Sequence, residues 1–253
     1  MPATPAWPPA STPRLFVDEP LSEGQALRLD GNAANYLANV MRMKADNALI
    51  LFDDRTGSWL GRITGAGRRA VDVVIESHLK PREPVPDFWL CAAPIKRQRF
   101  DFMVEKACEL GVARFVPVAT ERAVVDKVKD DRLRAHMIEA AEQCERNALP
   151  QLAPLTPLAA LLADWPEERR LYFCDERLHN GEGSDFATAI AGHTGPAAVL
   201  IGPEGGFTDE ENARIRTCPA AMPVSLGPRI LRAETAALTA TAVWMGIAGD
   251  WKG

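Results

Sequence analysis

The sequence predicts an α/β protein in two parts: a small N-terminal β-barrel and a larger C-terminal domain with a mainly parallel sheet. Three observations carry this. Short apolar runs separated by Gly and Asp turns crowd residues 48–77, the spacing of a small barrel. Three prolines in Lys80-Pro-Arg-Glu-Pro-Val-Pro86 make a semi-rigid spacer and a natural domain boundary. After it, strand-like runs alternate with helical periodicity as far as the C-terminus, the rhythm of a sheet covered on both faces. The expected divisions are a tail at 1–13, a barrel at 14–79, a linker at 80–87 and an α/β domain at 88–253.

In the first part, residues 14–17 predict a short strand. Tyr36, Leu37, Val40 and Met41 stand at helical spacing, so a helix is expected over 35–44, closed by Arg42 and Lys44. Strands follow at 48–52, 59–64 and 71–77, with turns at 53–57 and 65–67. In the second part, 88–93 predicts a strand. Phe100, Met103, Val104, Ala107 and Cys108 make one face of a helix that Gly111 can end. Residues 114–118 read as a strand, and Leu133, Met137, Ala140, Ala141 and Cys144 as another helical face. Further strands are expected at 172–174, 197–201 and 223–226, and a last helix at 236–248.

Composition narrows the class. The chain has 253 residues, 47% hydrophobic and 25% charged, ordinary for a globular protein. The net charge of −5 does not advertise a nucleic-acid binder, although a local basic patch is enough for one. The five cysteines have no C-x-x-C pair and mostly lie in apolar runs, as buried free thiols of a reducing cytoplasm do. The four histidines are scattered, so no metal is expected. The Pro- and Ala-rich start lacks the basic and apolar parts of a signal peptide. The longest apolar segment, 236–248, is too short to span a bilayer.

Two strand-to-helix loops hold the chemistry. The first is Ile201-Gly-Pro-Glu-Gly-Gly-Phe207, followed by Thr208 and, three residues later, Glu211. That pair predicts a capping box and a helix start. The glycines permit close backbone approach to a ligand, or only a tight turn. Neither G-x-G-x-x-G nor Gly-Lys-Ser/Thr is present, which disfavours a dinucleotide or kinase-type phosphate site. The second is Leu226-Gly-Pro-Arg-Ile-Leu-Arg-Ala-Glu-Thr-Ala236. A plain turn would not need Arg229 and Arg232 beside Ile230 and Leu231. Loops of this kind form the ligand crevice of open α/β sheets.

Together the loops resemble the paired cofactor motifs of the SPOUT methyltransferases, and most of all those of the 16S ribosomal RNA (uracil-N3) methyltransferase family. The resemblance extends to Lys96-Arg-Gln-Arg-Phe, Glu105-Lys-Ala-Cys-Glu-Leu-Gly-Val112 and Ala141-Glu-Gln-Cys-Glu-Arg146, and covers nearly the whole chain. It implies a PUA-like RNA-binding barrel, a SPOUT domain with a deep trefoil knot, and a homodimer. The family usually has a histidine where Asn35 stands and a glycine where Asp46 stands, departures that bear on RNA contact by the first domain.

The resemblance also implies roles. S-adenosylmethionine would lie between Leu200, Ile201, Gly202, Pro203, Glu204, Gly205 and Gly206 on one side. Leu226, Gly227, Ile230 and Leu231 would form the other side. The aliphatic members are equally suited to core packing. The acceptor would be uracil N3, an imide nitrogen that attacks only after losing its proton. Arg232, and after it Arg229, would stabilise charge on the base. Glu234 would act as base or orient an arginine; a structural Arg232–Glu234 pair is the alternative. Arg14, Arg42, Lys44, Lys96, Arg97, Arg99 and Arg146 are the candidate contacts to 16S ribosomal RNA or the small ribosomal subunit, with solvated surface as the alternative. Another SPOUT RNA methyltransferase, or a non-catalytic RNA-binding ribosome-assembly protein, stays open at this level.

Overall fold

A computed structural model describes residues 12–125, 127–180 and 184–251, without the side chains of residues 179 and 180. Most of the expected N-terminal tail, residues 1–11, lies outside the described residues. The chain divides into two compact units, Met1–Pro84 with Ala141–Ala148, and Val85–Ala140 with Leu149–Gly253.

The first unit holds β1 (Arg14–Phe16), β2 (Ala26–Asp30), α1 (Gly31–Asn35), a π-helical turn (Tyr36–Val40), β3 (Ala48–Asp53), β4 (Gly57–Ala66) and β5 (Ala70–Lys80). They form a curled sheet in the order β1-β3-β4-β5-β2. Alternation puts Leu49 and Leu51, and Val71, Val73 and Ile75, into one core. Register shifts along β4 and β5 add twist, which bends the sheet round that core. Strand β2 had no counterpart in the sequence reading. The predicted helix at 35–44 starts earlier and stops at Val40. Arg42 has φ +54, and a helix cannot pass through a left-handed residue. Asp46 has φ +69; Asp tolerates that conformation, and glycine suits it best.

Segment Ala141–Ala148 is held to this unit by specific bonds. The Phe16 N–H donates to Glu142 Oε1 at 3.0 Å. Asn147 Nδ2 donates to the Pro81 carbonyl at 2.9 Å, and Asn147 Oδ1 accepts from the Glu83 N–H at 2.8 Å.

The rest of the chain gives β6 (Phe88–Ala92), α2 (Arg97–Glu109), β7 (Arg114–Ala119), α3 (Asp130–Cys144), β8 (Gln151–Leu152), β9 (Thr156–Pro157) and α4 (Leu158–Ala163). Then come β10 (Arg170–Cys174), a 3-10 turn (Glu176–Asn180), β11 (Ser184–Asp185), α5 (Phe186–Ile190), β12 (Ala197–Ile201), α6 (Asp209–Thr217), β13 (Ala221–Ser225) and α7 (Ala233–Ile247). The sheet runs β11-β13-β10-β12-β6-β7-β8, with β9 also on β7. Each of these pairings is parallel.

A parallel sheet needs cover on both faces, and β12 shows it. Ala197, Val199 and Ile201 face the core under α2, α5 and α7. Ala198 and Leu200 face the opposite core with Leu158 of α4 and Ile215 of α6. Helix α2 ends before Gly111, whose φ is +93, as expected of a helix-stopping glycine. Helix α7 starts three residues before the predicted 236. Cys144, expected on the apolar face of α3, is exposed; Cys91 and Cys108 are buried, and none of the five cysteines is in a disulfide among the described residues. Among the described residues, no helix is long and apolar enough to cross a membrane.

Candidate active site

The loops after β10, β12 and β13 converge on one cavity of about 340 Å³. These strands are neighbours in the order β13-β10-β12, so the cavity sits at the carboxyl ends of adjacent parallel strands, where such sheets bind ligands. Its size suits a small organic molecule. Ile201, Leu226, Ile230, Leu231 and Ala236 supply apolar wall.

Of the residues assigned to the cofactor, Ile201, Gly202, Pro203, Glu204, Gly206, Leu226, Gly227, Ile230 and Leu231 line this cavity. Leu200 does not. It is fully buried in the core on the other sheet face, because strand alternation points it away from its neighbour Ile201. Gly205 is also off the lining; its carbonyl accepts from Arg122 Nη1 at 2.9 Å.

The glycine-rich loop is tightly held. The Gly206 N–H donates to the Pro203 carbonyl at 2.9 Å, closing a turn at Gly206, whose φ is +66. The predicted capping box is present in both directions. Its buried Glu211 accepts from the Thr208 N–H at 3.0 Å and from the Glu121 N–H at 2.8 Å. Asp175 follows β10 and is 5% exposed. It accepts from Arg177 Nε at 3.1 Å, Asn212 Nδ2 at 3.1 Å and Arg216 Nη2 at 2.7 Å. Burial works to raise the Asp175 pKa, but those bonds outweigh it and bring the carboxyl down to about 2.

Arg229 and Arg232 both line the cavity and are exposed. Neither forms an ion pair among the described residues, and the Arg232–Glu234 pair is not formed. Glu234 lies in the first turn of α7, with one carboxylate oxygen 3.5 Å from Arg99 Nε. Its other oxygen is buried without a hydrogen-bond partner. Arg99 Nη1 also lies 3.9 Å from Glu204. Arg99, read from sequence as an RNA contact, thus joins the two loops through their carboxylates.

The other basic residues separate into two kinds. Lys96 and Arg97 are exposed at the start of α2, as are Arg42 and Lys44 in the first unit. Arg146 is 6% exposed, with Nε 3.6 Å from Glu83. Arg14 lies 5.2 Å from the Phe52 ring centroid and donates to the Glu145 carbonyl at 3.1 Å. These two arginines are occupied inside the first unit, and burial lowers the Arg14 pKa despite the neighbouring carboxylates.

The sequence reading missed Arg122, Asp175, Glu176 and Arg177, which also line the cavity. They stand just past the ends of β7 and β10. The rule that α/β sites gather at strand carboxyl ends would have pointed to them.

The chain is similar to known proteins over nearly its whole length. An RNA methyltransferase domain matches residues 81–245 and an RNA methyltransferase PUA domain matches residues 29–76. The chain is 28% identical to ribosomal RNA small subunit methyltransferase E of Rickettsia conorii, over 90% of this chain and 93% of that protein. A crystal structure of ribosomal RNA small subunit methyltransferase E from Neisseria gonorrhoeae, bound to S-adenosylmethionine, superposes with TM-score 0.84. It is 29% identical, covering 95% of this chain and 100% of that one. A Legionella pneumophila methyltransferase solved with bound S-adenosylmethionine gives TM-score 0.84 and 30% identity, covering 94% and 99%. The chain belongs to this family of RNA methyltransferases, with a PUA domain before the α/β methyltransferase domain.

Proposed function

We propose that the protein transfers a methyl group from S-adenosylmethionine to N3 of a specific uridine in 16S ribosomal RNA of the small subunit. The observation that carries this reading is the cavity itself. Its two long walls are the matched loops, and it is lined by two arginines that form no ion pair among the described residues. The donors suit the cofactor: apolar wall from Ile201, Leu226 and Leu231, with backbone groups from Gly202, Gly206 and Gly227. When bound, S-adenosylmethionine supplies an electrophilic methyl group.

The residues of the chain do the rest. Uracil N3 gains nucleophilicity by losing its proton, which moves negative charge to O2 and O4. Arg232 is the first candidate to hold that charge and Arg229 the second, because a fixed guanidinium fork stabilises a developing anion. Glu234, in the first turn of α7 beside the arginine loop, is the candidate proton acceptor. Lys96, Arg97, Arg42 and Lys44 are the candidate phosphate contacts, while Arg99 holds the loops. N3 faces the partner strand in a base pair, so the uridine must be unpaired or flipped out. The reading includes a cytoplasmic homodimer. Ile230, 67% exposed, is an apolar side chain that a second copy would cover.

Purified protein, labelled S-adenosylmethionine and small-subunit RNA, followed by nucleoside mass analysis, test this. Labelled 3-methyluridine is expected. Label on a ribose hydroxyl or another base overturns the N3 assignment, and no calorimetric heat with the cofactor overturns the methyltransferase reading.

A further inference from the structure

We propose that Arg122 is a positioning residue. It fixes alternate peptide planes of the glycine-rich loop, so that the peptides between them are left to bind the cofactor. The inference rests on the cofactor reading above.

Arg122 stands three residues past β7, and β7 is separated from β12 by β6. Its side chain therefore reaches across the end of β6 to the loop after β12. There Nη1 donates to the Gly205 carbonyl at 2.9 Å and to the Phe207 carbonyl at 3.4 Å. In a trans peptide the C=O and the following N–H point in opposite directions. The peptide joining Gly205 to Gly206 is thus held at both ends, its carbonyl by Arg122 and its N–H by the Pro203 carbonyl. The peptide joining Phe207 to Thr208 is also held at both ends, its carbonyl by Arg122 and its N–H by Glu211.

The intervening peptides, Glu204–Gly205 and Gly206–Phe207, are different. Among the described residues their N–H and C=O groups form no hydrogen bond. Buried or ligand-facing backbone groups need partners, and Glu204, Gly206 and Phe207 line the cavity. These peptides are the loop's donors and acceptors toward a bound molecule. Arg122 sets their direction by fixing the planes on either side. The contact is close along the whole stem: a Cβ at Gly205 would lie 3.3 Å from Arg122 Cβ. The Glu121 N–H bond to Glu211 ties the same segment to the capping box.

The test uses the full chain with R122M, which removes the donor and keeps much of the stem, and R122K, which keeps a charged donor. Amide hydrogen exchange of residues 204–208 is measured without cofactor, and S-adenosylmethionine affinity by calorimetry. In R122M the loop should exchange at least about tenfold faster and the Kd should rise about tenfold, the scale of losing one charged donor. R122K should recover part of both. Unchanged exchange in R122M overturns the proposal, as does weaker binding with unchanged exchange, which would make Arg122 a direct ligand contact. If R122M does not fold, R122Q, whose short amide cannot reach both carbonyls, takes its place, and wild-type exchange in R122Q overturns the proposal. If the wild-type protein binds no S-adenosylmethionine, the cofactor reading fails, while the exchange comparison still decides whether Arg122 fixes the loop.

Discussion

The loops at residues 202–207 and 226–232 flank one cavity, yet they are held in opposite ways. The first loop has alternate peptides held, Gly205–Gly206 and Phe207–Thr208, by Arg122, Glu211 and its own turn. The helix that follows it, α6, is tied to the end of β10 by the Asp175 cluster. In the second loop, Ser225 Oγ accepts from the Gly227 N–H at 3.2 Å, and Arg229, Ile230 and Arg232 are exposed. Their long side chains keep their rotamer freedom until something arrives to order them. The difference separates two tasks. A wall whose backbone is fixed in advance costs little to bind a small cofactor. A wall of unpaired cations is suited to a substrate that brings its own negative charge.

The largest test of this division is Arg232→Ala. Loss of one charge-stabilising group, ordered once the substrate is bound, costs about 10²- to 10³-fold in rate. Single-turnover methylation with both ligands bound should fall by that factor, while S-adenosylmethionine affinity stays close to wild type. Arg232→Lys should recover only part, since a point charge does not reproduce the fork. A wild-type rate in Arg232→Ala would remove the arginine from catalysis and leave the second loop without its assigned task.

Next comes the support of the first loop. Asp175→Asn leaves Arg177 and Arg216 facing a neutral amide, a change worth about 2–4 kcal/mol for a buried charge cluster. Melting should drop by roughly 5–10 °C. The pH dependence has a definite sign. The folded carboxyl is lowered from 3.8 to about 2, so its stabilisation, about 2 kcal/mol, is complete above the unfolded value. It is lost as pH falls through the folded value. Urea unfolding should show a constant gap between wild type and variant from pH 5 to 7, narrowing below pH 4. A gap that grows on acidification would contradict the assigned role.

A smaller effect separates Arg99 from its neighbours. Lys96→Ala with Arg97→Ala should reduce the salt slope of RNA binding by about 1–2 and leave cofactor affinity alone. Arg99→Ala should instead weaken cofactor binding, because its partners Glu204 and Glu234 belong to the two loops. Equal effects of both variants on RNA and cofactor would place all three residues in one surface.

How much of this was legible in the sequence follows from the range of each interaction. The capping box at Thr208 and Glu211, the stop at Gly111 and the five residues of β12 rest on local pattern, and the structure reproduces them. The two matched loops were legible as motifs, and they meet at one cavity. Leu200 was misplaced because motif membership says nothing about which strand face a residue takes. Arg99, Arg14 and Arg146 read as free cations because their partners lie far along the chain: Glu234 for the first, and in the first unit Glu145 and Glu83 for the others. Arg122 and Asp175 carried no motif, and only the strand order brings them to the loop.

The finest test compares two glycines. Gly206 has φ +66 and Gly227 has φ +109, so alanine at either place costs backbone strain of about 1–2 kcal/mol. Their surroundings differ. A Cβ at Gly206 would lie 2.2 Å from Glu176 Oε1, whereas one at Gly227 would meet nothing within 4 Å. Gly206→Ala must therefore push a cavity-lining carboxylate aside as well as strain a loop that is pinned at both ends. Gly227→Ala strains a loop with room to relax. Both variants should melt a few degrees below wild type, about 2–4 °C per kcal/mol. Only Gly206→Ala should raise the S-adenosylmethionine Kd strongly, by about tenfold, against less than about threefold for Gly227→Ala. If Gly227→Ala weakens the cofactor as much as Gly206→Ala does, the second loop is as fixed in the bound state as the first. The cofactor would then be read by both walls equally, and the contrast between them would reflect only how each waits for its ligand.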